Sequence, residues 1–262
     1  MSFKKSLSIP FAVFLVLFVI LPIALIVFYA FTNSQGNFSF DAFKAFFTSS
    51  SKINVLLVSI FIGIQTTLIC LLIGFPVAYF LANKNYNANG VIVFLFIAPM
   101  WINFVLRTGA TRDVLFWMGL SGGDSPFVAT IIGMVYNFLP FVILPLYTTM
   151  LKIDKSQIEA SIDLGANKWH MFWKAIFPQT IPGLISAAMM VFMPTMSSYV
   201  ISDVLSEGNV TLFGNLIYLN FSNSQWNEGS LLSLVMLILV GATMLITRRF
   251  EKTDARVGGL QW

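Results

Sequence analysis

Apolar residues in this chain come in six long runs, at about 9–31, 53–82, 90–106, 127–150, 181–201 and 231–246, with the polar residues confined between them. A run of about 20 such residues makes a helix able to cross roughly 30 Å of hydrocarbon. The pattern therefore predicts an all-α membrane protein of six transmembrane helices. A helix bonds its own peptide groups, for which lipid offers no partner. Pro76 in the second run, and Pro140 and Pro145 in the fourth, are expected to bend their helices without ending them.

Two polar stretches carry a helical pattern of their own. Between residues 33 and 52, Phe40, Phe43, Phe46 and Phe47 share one helical face behind Ser39, which predicts a short helix lying in the interface. The insert at 152–180 is charged, and Ser156 with Glu159 has the spacing of a capping box that starts a helix. Gly165 is placed to supply a left-handed turn after it. A second helix is expected next, with Trp169, Phe172, Trp173 and Ile176 on one face and Asn167, His170 and Lys174 on the other, stopped by Pro178. One face suits the protein's own body and the other suits something docked against it.

Composition agrees with the membrane reading. The chain is 57% hydrophobic and 10% charged, against about a quarter charged in soluble domains. Residues 1–262 are expected to form one transmembrane domain. The first run is too long for a signal peptide and no A-x-A site follows it. One cysteine and one histidine leave no disulfide framework and little for metal catalysis. With the N-terminus inside, eleven of the fifteen Lys and Arg residues fall on the cytoplasmic side and four outside. The positive-inside bias thus puts both termini and the 152–180 insert in the cytoplasm. The basic balance is a matter of topology, and no nucleic-acid partner is needed to account for it.

The other side is acidic. The loop at 202–229 holds Asp203, Glu207 and Glu228 and no Lys or Arg, with Tyr218 and Trp226 among them. Carboxylates beside aromatic faces attract cations. Asp203 follows directly on an apolar span, where a carboxylate is a functional candidate by default. Trp101, Asn103 and Arg107 fall near the outer end of the third span, and the fourth span is interrupted by prolines and aromatics in YNFLPFVILPLY.

Glu159-Ala160-Ser161, then Gly165, then Phe177-Pro178 resembles the EAA loop of bacterial ABC-importer permeases, departing from it at Ser161 and Phe177. With APMWINFVLRTGA, YNFLPFVILPLY and Asp203, most of the chain is similar to the permeases of spermidine/putrescine ABC importers. That resemblance implies a type I importer fold of five core helices and a peripheral first one, in the bacterial cytoplasmic membrane. It implies a second, related permease, two ATPase subunits that carry the ATP and magnesium, and an extracytoplasmic polyamine-binding protein. This chain itself would bind no cofactor. Glu159, Ala160, Ser161, Asp163, Gly165, Lys168 and Pro178 would then form the coupling helix that meets the ATPase. Trp101, Tyr199, Asp203 and Glu207 are the candidates for the substrate path. Three alternatives stay open: a related permease for an amino acid, phosphonate or oxyanion, a secondary carrier or channel, and a membrane enzyme. No G-x4-G-K-[ST] loop is present, so the chain is not itself the ATPase. The sole histidine, His170, lies in the insert with no nucleophile motif around it.

Overall fold

The computed structural model describes residues 3–33, 35–83 and 90–257, and the polar turn expected at 83–89 lies, beyond Asn83, outside them. The first helix, α1, runs through Phe3–Leu15, a wide π turn at Val16–Ile20, and Leu21–Ala30. Its side chains from Ile9 onward are almost all exposed, and it packs on the last helix. It is the peripheral helix that the resemblance implied. α2 (Asp41–Thr48) is the short helix expected between residues 33 and 52, with Phe46 buried and Phe47 facing out. Ser39 Oγ accepts from Asp41 N–H at 3.0 Å just ahead of it, while Phe40 falls before the first turn.

Three long helices make the core: α3 (Ser50–Ala82), α6 (Pro126–Met150) and α8 (Lys168–Ser197). α3 starts on Ser49, whose side chain accepts from Lys52 N–H, and α6 starts on a proline that lacks the N–H its first turn could not use. At one end Ile62, Met134, Leu205 and Leu212 pack together; toward the insert, Cys70, Val142, Leu146 and Val191 do so.

The third span is not the single helix expected at 90–106. α4 (Val91–Ile97) tightens into a 3-10 turn at Ala98–Trp101 and breaks, and α5 (Phe104–Trp117) leaves at 97° to it. The first limb is only about 18 Å long, well short of the hydrocarbon thickness. The break has a local cause. Pro99 brings no N–H, Ile102 is extended, and the Asn103 side chain accepts from Val105 and Leu106 N–H to begin a new helix.

The fifth span also departs from expectation. Pro178 does not stop the insert's second helix; that helix and the span are one, from Lys168 to Ser197. A π turn at Phe172–Ile176, in which Phe177 N–H reaches back to Phe172 O, widens the helix just before the proline ring has to fit. The span ends at Ser197, so residues 198–201 lie beyond it. The last helix, α11 (Trp226–Val257), begins five residues ahead of the expected 231 and continues through the charged tail. Counting the bent pair as one, the described residues hold six helices long and apolar enough to span a membrane.

The loop at 202–229 is not an open loop. α9 (Val200–Leu205) and α10 (Phe213–Ser222) fold back onto the bundle, burying Leu205, Val210, Leu212 and Phe213 to 2% exposure or less. Buried Ser59 on α3 donates to Val55 O and accepts from Phe213 N–H at 2.7 Å, which fixes the start of α10. The segment is a plug at the end of the bundle remote from the insert.

Candidate coupling surface and plug

The insert is built as a rigid corner. α7 (Lys155–Asp163) is capped by Asp154, whose carboxylate accepts from Ser156 N–H at 2.9 Å and from Ser156 Oγ at 2.8 Å. The capping box expected from Ser156 and Glu159 is therefore displaced: Ser156 is already helical, and a better acceptor stands two residues before it. α7 ends at Gly165, φ +77°, where Ala166 N–H bonds Ser161 O at 3.0 Å and Gly165 N–H bonds Ile162 O at 2.8 Å. This is the Schellman pattern, and its left-handed residue is glycine because no Cβ then crowds the carbonyl. Asn167 caps the start of α8 by accepting from His170 N–H at 2.8 Å.

Gln179 is the residue that sequence reasoning missed here. Its Oε1 accepts from Asp154 N–H at 3.0 Å and its Nε2 donates to Ala175 O at 2.7 Å, so the start of α7 is tied to the fifth span across twenty-five residues. No spacing in the sequence signals that contact.

Ala160, Ser161 and Gly165 line a cleft of about 730 Å³ with Asn167, His170 and Lys174. Glu159, Asp163 and Lys168 are exposed on the same insert without lining it, and exposed Pro178 lies farther along α8, past the π turn. Apolar side chains crown the corner: Leu164 is 88% exposed, and Trp169, expected on the face toward the protein's own body, is 68% exposed instead.

The path candidates divide into two groups. Tyr199 and Asp203 are one helical turn apart at the plug, with Asp203 N–H bonding Tyr199 O, and Tyr199 stacks on Tyr218 with ring centroids 4.5 Å apart. Asp203 is exposed on α9 rather than lodged at the end of a span. Glu207 is also exposed and takes φ +53° in the turn that closes α9. Trp101 belongs to another element, the elbow of the third span, where it is 76% exposed and meets Phe94 edge-to-face. Glu228 pairs with Lys52.

Arg107 is not near the outer end of a span. It hydrogen-bonds Asn137, which is eleven residues from one end of α6 and thirteen from the other, so the guanidinium sits at half-depth. Its Nε donates to Asn137 Oδ1 at 2.8 Å and its Nη1 to Pro99 O at 2.7 Å.

No family model matches the chain. Curated relatives do. The spermidine/putrescine transport system permease PotB of Salmonella typhimurium LT2 is 33% identical over 96% of this chain and 94% of its own length. PotB of Escherichia coli K12 is 34% identical over 76% and 78%. The chain belongs to the PotB family of ABC-importer permeases. PotB of Haemophilus influenzae is 31% identical over 95% of this chain. Solved structures share the fold at lower identity. A bacterial alginate ABC transporter chain matches with a TM-score of 0.67 at 14% identity, covering 96% of this PotB-family chain and 94% of that one. The inward-facing methionine ABC transporter matches at 0.56 and 19%, covering 79% and 99%. A multi-pass permease of an ABC importer thus accounts for the spans, the bent pair and the polar insert together.

Proposed function

We propose that this permease forms half of the translocation path of an ATP-driven polyamine importer in the bacterial cytoplasmic membrane, with its termini and insert in the cytoplasm. A second, homologous permease completes the path. Two ATPase subunits bind ATP and magnesium and receive the insert, and an extracytoplasmic binding protein delivers spermidine or putrescine to the plug side. The observation that carries the reading is the crown of the insert. Leu164 is largely exposed beside the Gly165 turn, in the charged stretch between the fourth and fifth spans, and Trp169, also exposed, opens the helix that runs on into the fifth. Large exposed apolar side chains on a capped, rigid corner suit a groove on a soluble partner. The names of the relatives support the polyamine assignment, and the exposed carboxylates and stacked tyrosines at the plug fit a cationic cargo.

The deciding experiment is ATP-dependent uptake in proteoliposomes holding this chain with its partner permease, ATPase and binding protein. Labelled spermidine and putrescine are compared with an amino acid and an oxyanion. Polyamine uptake that requires ATP is the expected result. ATPase stimulation without polyamine uptake would keep the permease and discard the cargo.

A further inference from the structure

A cation at half-depth in a membrane helix bundle is costly and calls for a reason. Arg107 is 8% exposed, and among the described residues no carboxylate pairs with it. Its partners are neutral: Asn137 Oδ1, the Pro99 carbonyl left at the break of the third span, and the Tyr136 ring at 5.7 Å. At that depth a lipid phosphate is out of reach. The guanidinium instead joins the two limbs of the elbow to the middle of α6.

The contacts continue toward the plug. Asn137, 1% exposed, passes its Nδ2–H to Gly133 O at 2.8 Å, one turn along α6. A Cβ built on Gly133 would overlap Leu205, so the missing side chain there is the socket for the last residue of α9. Leu205 is fully buried in it, and α9 also packs on α5, the helix that carries Arg107. Both walls of the socket are therefore set by one guanidinium: α5 bears it and α6 is held by it.

We propose that Arg107 is a positioning residue whose fork to Pro99 and Asn137 holds the plug closed by fixing α5 against α6 around Leu205. The inference rests on the chain being a transport pore. An opening of the remote end then requires α5 and α6 to part, and the latch sets how often that happens at rest.

Leu205→Cys places a thiol in the socket, and the native Cys70, buried in the cluster toward the insert, is an internal control. The full complex in proteoliposomes is treated with a small water-soluble methanethiosulfonate, and the two sites are followed by peptide mass spectrometry. The thiol introduced by Leu205→Cys should react slowly beside native Arg107. It should react roughly ten- to a hundredfold faster with Arg107→Gln, the range expected for a charge-assisted hydrogen bond. Arg107→Lys should fall between, since an ammonium cannot hold both acceptors in one planar fork. Cys70 should stay protected throughout. If Arg107→Gln does not assemble, Asn137→Ala carries the same expectation. Unchanged labelling in these variants would overturn the proposal, and so would Cys70 and the introduced thiol rising together, which marks a general loosening. The readout does not depend on the cargo, so a failure of polyamine uptake leaves it standing.

Discussion

Replacing Gly165 tests whether the corner of the insert works through its backbone or its bulk. Gly165 sits at φ +77°, and a Cβ built on it meets nothing within 4 Å. Any side chain therefore fits in space, and the cost is conformational. An alanine held left-handed loses roughly 1–2 kcal/mol, which lowers the population of the correctly turned corner by a factor of about 5–30. Asparagine tolerates that region better and should lose less, whereas β-branched valine should lose more. The assay is cargo imported per ATP hydrolysed, in proteoliposomes of the complete transporter. The expected order is Gly, Asn, Ala, Val, from tightest coupling to loosest. A bulk effect would rank Asn below Ala. That ranking, or wild-type coupling in Gly165→Val, would refute a conformational role for the left-handed turn.

Other outcomes follow from single contacts. Ser59→Ala leaves the buried Phe213 N–H without its acceptor, and should cost about 1–3 kcal/mol, read as a lower thermal midpoint in detergent. Asp154→Ala removes the cap of α7 and should destabilise the insert by about 0.5–2 kcal/mol; faster proteolysis at 152–165 with an unchanged global midpoint is the expected signature. The Lys52–Glu228 pair is partly exposed, so Glu228→Gln should shift stability by less than about 1 kcal/mol, and less again at high salt. A larger, salt-independent loss would mean that the pair is desolvated.

The spans were legible because a long apolar run has few alternatives, and the 53–82 and 127–150 boundaries lie within three residues of α3 and within one of α6. Gly165 was legible too, since a glycine after a short polar helix has a standard use. Prolines were harder, because a proline says only that something must give. At Pro99 the helix gave way, whereas at Pro178 the preceding turn widened and the helix went on. The plug escaped notice because its three charged residues are all acids and suggested an open polar mouth, while Leu205, Val210, Leu212 and Phe213 are too irregularly spaced to announce a helix. Arg107 stood in plain view among apolar residues. Its partner Asn137 lies thirty residues on, and only the folded bundle pairs them.

The peripheral position of α1 bears on how the chain is made. Its main helical partner is α11, where Asn227 Nδ2 donates to Thr32 O, 195 residues back along the chain. At a synthesis rate of about 5–20 residues per second, that partner emerges roughly 10–40 s after Thr32. Through that interval α1 has to remain in the bilayer largely by its own greasiness, without its main helical partner. Its unbroken apolar surface from Ile9 onward is thus a requirement of birth order as much as of the finished fold. A nascent chain arrested before Trp226 should already hold α1 across the membrane, resistant to carbonate extraction.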